Sequence, residues 1–186
     1  MLTRILTELY RGTNREREVT IRMAIRNIVR FGEDILAKEC RPVEKFDRKL
    51  HQLLDDMQDT LYEANGAGLA APQVGVLRQV CVIDVGDGLV ELINPEIISY
   101  GGEQTGAEGC LSLPNEWGMV TRPQKVVVRA QNRKGKWFQK TAEDLFARCI
   151  CHEVDHLHGI VFTDKASRML TPEEVEQLQK EQEQGR

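Results

Sequence analysis

The chain has 186 residues, 41% hydrophobic and 29% charged, and its 25 basic and 29 acidic side chains give a formal net charge of −4. That length fits one domain able to bury roughly two-thirds of its unfolded surface without staples, so a bound metal would serve function before folding. The charge balance excludes a global positive field for nucleic acid or an anionic membrane, and no apolar run approaches the roughly 18 residues of a membrane span. Cys40, Cys81, Cys110, Cys149 and Cys151 form an odd set, and the N-terminus lacks an apolar signal core. Both features point to free thiols in a reducing cytoplasm.

Residues 1–22 are arginine-rich, follow no core period and end just before a second methionine, Met23. They read as an extension apart from a single domain spanning 23–186, and Glu8, Glu16 and Glu18 argue against a mitochondrial leader. In residues 46–65, Leu50, Leu53, Leu54, Met57 and Leu61 recur at spacings of three and four, predicting an amphipathic helix that stops at Gly66. Next, Gly66-Ala67-Gly68-Leu69-Ala70-Ala71-Pro72-Gln73 is rich in small residues and broken by proline, a poor helix and a poor strand. Backbone passes close to something here, either the core or a ligand, but the parts of a phosphate loop are missing.

Residues 80–83, 89–93, 97–100 and 125–130 are β-like, separated by turn signals at Gly86-Asp87-Gly88, Asn94-Pro95 and Gly101-Gly102. Asn132-Arg133-Lys134-Gly135 predicts a hairpin turn into residues 136–139. Short strands joined by short turns favour antiparallel pairing. Among them lies Glu108-Gly109-Cys110-Leu111-Ser112-Leu113-Pro114, whose lone cysteine is, by itself, more often a small buried hydrophobe than a ligand.

Thr141-Ala142-Glu143-Asp144 offers an N-cap hydroxyl and an acidic first turn, and Gly159 a stop, so the intervening segment is predicted helical. It carries Cys151-His152-Glu153-Val154-Asp155-His156. At i and i+4, His152 and His156 share a face, with Glu153 between them as a proton acceptor. Leu145 and Cys149 fall on the histidine face, whereas Ile150, Val154 and Leu157 cover another, which makes the helix central. Buried imidazoles cost several kcal/mol unless hydrogen-bonded or metal-bound, and this favours a chelate over solvated histidines. Two imidazoles leave a catalytic ion short of at least one protein ligand. Cys149 is near the site as a liner or a competing ligand, while Cys151 and His158 point elsewhere. Finally, Thr171-Pro172-Glu173-Glu174 is a capping box opening a surface helix with few apolar residues.

With the Gly66 to Gln73, Glu108 to Pro114 and His152 to His156 motifs all present in order, the sequence closely resembles peptide deformylase from about Met23 to about Lys165. The resemblance implies an α+β fold in which antiparallel β-strands surround a central metal-binding helix. It also implies a third ligand, Cys110 as thiolate, which joins His152 and His156 on one divalent ion. That ion is Fe²⁺ foremost, with Zn²⁺, Ni²⁺ and Co²⁺ as alternatives. The activity implied is a cytoplasmic metallo-hydrolase that removes the formyl group from the N-terminal N-formylmethionine of new polypeptides. Glu153 is then the proton acceptor, and the Gln73 amide and Leu111 N–H are donors to the formyl oxygen. Gly68, Leu69 and Gly109 are implied in substrate binding, and Glu108 with Arg122 in a supporting ion pair. The implied partners are N-formylmethionyl nascent peptides and, as a candidate, the ribosome near its exit tunnel, with no direct nucleic-acid recognition and no membrane.

Two positions depart from the family's habit. Cys151 stands where glutamine is frequent, and Trp117 where some members carry a basic residue near the substrate entrance, which leaves peptide preference beyond methionine open. A zincin-type peptidase shares His-Glu-x-x-His but takes a downstream histidine or glutamate. Here that region offers only Asp164, Glu173 and Glu174, without a zincin signature. Neither a closed four-ligand structural site nor a basic nucleic-acid face is evident.

Overall fold

In the computed structural model, which describes residues 24–184, Asp47 caps α1 (Arg48–Glu63) by accepting from the N–H groups of Lys49 and Leu50. Leu50, Leu53, Leu54, Met57 and Leu61 are all buried, packing on Leu69, Val80, Val82 and Ile93. Asn65, not Gly66, takes the left-handed position that ends the helix, at φ 51°. The extension expected over residues 1–22 lies outside the described residues.

The strands in chain order are β1 (Gly68–Ala70), β2 (Val80–Ile83), β3 (Val90–Gly101), β4 (Gln104–Cys110), β5 (Leu113–Arg122), β6 (Lys125–Gln131), β7 (Trp137–Glu143) and β8 (Arg168–Met169). Between β7 and β8 runs α2 (Asp144–Leu157), and α3 (Pro172–Gln184) follows. One sheet has the order β1-β2-β3-β6-β7 and the other β4-β5-β8, every strand pairing being antiparallel.

Three segments depart from the local structure their residues suggest. The Gly66 to Gln73 stretch does hold a strand, β1, followed by a 3-10 turn at Ala71–Val74. Asn94-Pro95 is no turn: β3 runs through it, with its register to β6 shifting between Ile93 and Glu96. There Asn94 adopts φ 51°, and its amide accepts from Val43 N–H (2.7 Å) and donates to Val43 C=O (2.9 Å), replacing bonds the bulge interrupts. Thr141 does not cap α2 but sits in β7 opposite Val127, and the chain turns straight into the helix after Glu143.

α2 lies between the two sheets. Ala147, Ile150, Cys151 and Leu157 pack with Cys81, Ile83, Leu92, Val126 and Val128 of the larger sheet, and the β4–β5 hairpin covers the side that carries the histidines. The helix stops at Gly159, where φ is +71° and a Cβ would meet Ala37 O at 2.6 Å, so glycine is required twice over. As the α+β expectation has it, antiparallel strands enclose a central helix. The C-terminal α3 opens with the expected reciprocal cap: Glu174 N–H donates to Thr171 Oγ1 (3.3 Å) and Thr171 N–H to Glu174 Oε2 (2.9 Å). All five cysteines are free thiols. No helix among the described residues is long and apolar enough to cross a membrane.

Candidate active site

The helical period puts His152 and His156 on successive turns of α2, their rings 4.9 Å apart and edge to face. β4 delivers Cys110 from the other side, its Sγ 3.2 Å from His156 Nε2. The three donor atoms lie within 4.8 Å of one another. His152 Nδ1 is held by Glu108 Oε2 at 3.1 Å, which leaves Nε2 to face the cluster. Burial holds His156 well below the ordinary histidine range, so it is the neutral imidazole a metal requires. Soft sulfur with two imidazoles is a donor set that fits a divalent transition metal.

Behind this cluster is a buried charge network. Arg122 donates to both oxygens of Glu108 (2.9 and 3.0 Å) and also pairs with Asp155. Arg148, four residues before His152 on α2, donates to the same Glu108 carboxylate at 2.9 Å and to Val120 C=O at 3.1 Å. Burial alone would raise the Glu108 carboxyl, but the hydrogen bonds from His152 and Arg122 outweigh it and hold it at about 2. The Glu108–Arg122 pair was expected, whereas Arg148 was not. Its signal was present, since a cation on the histidine face of a central helix must find a buried partner.

In front of the cluster lies a cavity of about 560 Å³. Glu153 faces it, with Oε2 lacking any hydrogen-bond partner among the described residues and burial pushing its carboxyl up to about 7. Gln73, buried in the 3-10 turn after β1, accepts from Ala70 N–H through Oε1 (2.8 Å). Its amide is thereby oriented so that Nε2 donates to Cys110 Sγ (3.3 Å) and Ser112 Oγ (3.2 Å). Leu111 and Ser112 form the turn between Cys110 and Leu113, beside a register shift that leaves residues 114–116 unpaired with β4.

Gly68 lines the cavity, and a Cβ there would overlap the Glu153 carboxylate. Gly109 also lines it, and a Cβ at that position would meet the Trp117 ring at 3.1 Å. Leu69 is the exception: its side chain is fully buried beneath α1 and does not reach the cavity. Leu145 sits at the cavity mouth, 54% exposed. Cys149 lines the cavity without joining the donor cluster, and burial keeps its thiol protonated, pushed up to about 12. It is a liner, not a competing ligand. Cys151 stays out of the cluster, and His158, exposed, faces Glu39 at 3.3 Å.

The model of the family described as polypeptide deformylase matches residues 25–171. A peptide deformylase from Caldicellulosiruptor bescii is 59% identical over 155 residues, covering 83% of this chain and 93% of that one. One from Acetivibrio thermocellus is 54% identical over 154 residues, covering 83% and 91%. Among solved structures, a peptide deformylase from Legionella pneumophila superposes with a TM-score of 0.75 at 45% identity, over 80% of this chain and 88% of that one. A match that spans both the scaffold and all three segments meeting at the cavity places this chain in the polypeptide deformylase family.

Proposed function

We propose that the cavity beside Cys110, His152 and His156 is where this enzyme removes the formyl group from the N-formylmethionine of new polypeptides, releasing formate and a free methionyl N-terminus. One observation carries the reading. A Cys/His/His donor set, a buried carboxylate with an unpartnered oxygen, and a fixed amide donor converge on one cavity.

The family is metal-dependent, and three protein ligands are the number that leaves a catalytic position open. Fe²⁺ is our choice of native ion on the strength of the family resemblance, since thiolate with imidazole suits Zn²⁺, Ni²⁺ and Co²⁺ equally well. Cys110, His152 and His156 would hold such an ion, which would supply Lewis acidity toward the formyl carbonyl and toward water. Glu153 takes a proton from the water that attacks the formyl carbon and gives it to the amine as the C–N bond breaks. Gln73 Nε2 and Leu111 N–H donate to the formyl oxygen as charge grows on it, one such donor typically being worth about 2.7–4 kcal/mol. Glu108, fixed by Arg122 and Arg148, holds the His152 ring in its ligating orientation.

The edge strand β1 supplies the track for the peptide. Ala67 C=O accepts from Asp84 N–H on the β2 side, while Ala70 N–H turns the other way to Gln73. Gly68, in phase with Ala70, therefore offers its peptide groups at the open edge, where an extended substrate can pair. Leu69 takes part only through its backbone, and Gly109 lets Trp117 close against the cavity. We take residues 23–186 as one catalytic domain, supported by the family match over 25–171. Its substrates are nascent chains, so we place the enzyme in the cytoplasm with the ribosome near the exit tunnel as a partner. Its α3 has five glutamates and one lysine, which gives no basis for contact with RNA.

A zincin-type reading has no support, since the donor cluster among the described residues is Cys110, His152 and His156, and none of Asp164, Glu173 and Glu174 joins it. Protein loaded with ferrous iron or nickel is expected to release formate from formyl-Met-Ala. Glu153→Gln should keep its metal and lose about 10²–10⁴ in turnover. Metal bound by all three ligands with no formate released would end the assignment.

A further inference from the structure

Residues 29–31 run between the two segments that carry the donors to the formyl oxygen. Val29 N–H donates to Gln73 C=O at 2.8 Å, and Phe31 N–H to Ser112 C=O at 2.8 Å. Between these two bonds, Arg30 reaches out with Nη1 and donates to Leu111 C=O at 3.0 Å. Arg30 is itself anchored: its N–H donates to Glu33 Oε1 (2.8 Å) and its C=O accepts from Glu33 N–H (3.2 Å), closing a turn through Gly32 at φ +92°. One three-residue stretch thus ties the peptide of Gln73 to both residues of the Leu111-Ser112 turn.

That turn has little support within its own hairpin. Cys110 pairs with Leu113 across it, and the next three residues of β5 fall out of register. A two-residue turn opening into a bulge can pivot, and small misplacement of a donor forfeits transition-state stabilisation out of proportion to the distance. The cross-link from Arg30 acts where the pivot would occur, at the Leu111 carbonyl.

We propose that Arg30 is a positioning residue for deformylation: by clamping the Leu111–Ser112 peptide through the Leu111 carbonyl, it fixes the turn at the Leu111 Cα, so that the preceding Leu111 N–H and the Gln73 amide stay aimed at one oxygen. The proposal rests on the assignment of Gln73 and Leu111 as the donors to that oxygen. Arg30 also lines the cavity and is exposed, so a contact with the C-terminal carboxylate of a short peptide is the rival role, and the two differ in kinetics.

The test uses metal-loaded enzyme with formyl-Met-Ala-Ser as the free acid and as the C-terminal amide. Arg30→Met keeps the alkyl stem but has no donor. It is expected to lower kcat about tenfold or more on both substrates, with KM changed by less than about twofold and metal content unchanged. Arg30→Lys, which retains a charged N–H donor group, should recover part of the loss. Unchanged kcat in Arg30→Met overturns the proposal, as does a rise in KM confined to the free-acid substrate. If Arg30→Met does not fold, Arg30→Ala is read by the same criteria. Wild-type enzyme that releases no formate refutes the site assignment itself, whereas an active wild type beside an unimpaired Arg30→Met refutes only the clamp.

Discussion

The two sheets that enclose α2 are held together by different physics. In the five-stranded sheet Val80, Cys81, Val82, Ile83, Leu92, Ile93, Val126 and Val128 are all buried. The three-stranded sheet buries one large apolar side chain, Val120, alongside the charged Glu108 and Arg122, with Arg148 entering from α2. Burying an aliphatic side chain gains about 1.5–3 kcal/mol and tolerates small shifts. Burying a charge costs several kcal/mol unless its partner is correctly placed, so the second sheet is stable in only one arrangement. The apolar sheet therefore sets where α2 lies, and the charged one sets how Cys110 and His152 face each other.

The sharpest way to break that division is Glu108→Ala, which takes from two buried guanidinium groups the carboxylate they share and frees the His152 ring. We expect a loss of about 3–5 kcal/mol in stability by urea unfolding. Metal affinity should fall roughly 10–100-fold by competition with a chelator. The acid limb of stability belongs to the same carboxylate. Glu108 is held at about 2 against an ordinary value of 4.5, so the folded state binds fewer protons than the unfolded one between those values. Its contribution is complete above pH 4.5 and is lost as pH falls through 2. Glu108→Gln should flatten this limb, and an unchanged acid profile in unfolding experiments would remove Glu108 from its cause.

Asn94→Ala attacks the apolar sheet at a polar joint, the bulge in β3. Its amide makes three bonds, to Val43 N–H and C=O and to Gln131 Oε1. Leaving the Val43 groups unsatisfied should cost about 1–3 kcal/mol in thermal or urea unfolding. Metal affinity should not move, because no member of the Glu108 network touches this bulge.

The same division explains what could be read from the sequence. Leu50 to Leu61 of α1, the valines of β6 and the histidines of α2 follow periodicities that need no knowledge of the partner. β4 carries no strand signal in the sequence, because Gln104-Thr105-Gly106-Ala107-Glu108-Gly109 has little β-branched bulk and is held by Arg148 from a distant helix. At Asn94-Pro95 the local signal for a turn and for a bulge is the same, and the choice was made by Val43, far away in the chain. Thr141 could serve equally as a cap or as a β-branched strand residue, and its pairing with Val127 decided the matter. Cys110 became a candidate ligand through its motif, since nothing local marks one thiol among five. Arg30 had no signal at all, because its acceptor, Leu111 C=O, is a backbone atom brought near by the fold.

The smallest effect is the most telling about the scaffold. Ile83, fully buried in β2, packs in the apolar cluster with Ile150 and Leu157 of the metal helix. Ile83→Val removes one methylene and should cost about 0.5–1.5 kcal/mol by urea unfolding, without a change in the slope of the transition. Because apolar contacts around α2 are many and individually weak, the helix should settle by a fraction of its side-chain clearance while Glu108 and its two arginines keep His152 in place. Metal affinity and kcat should then equal those of the wild type below the transition. A measurable drop in metal affinity from this single methylene would mean that the apolar sheet, and not only the charge network, sets the geometry of the ligands.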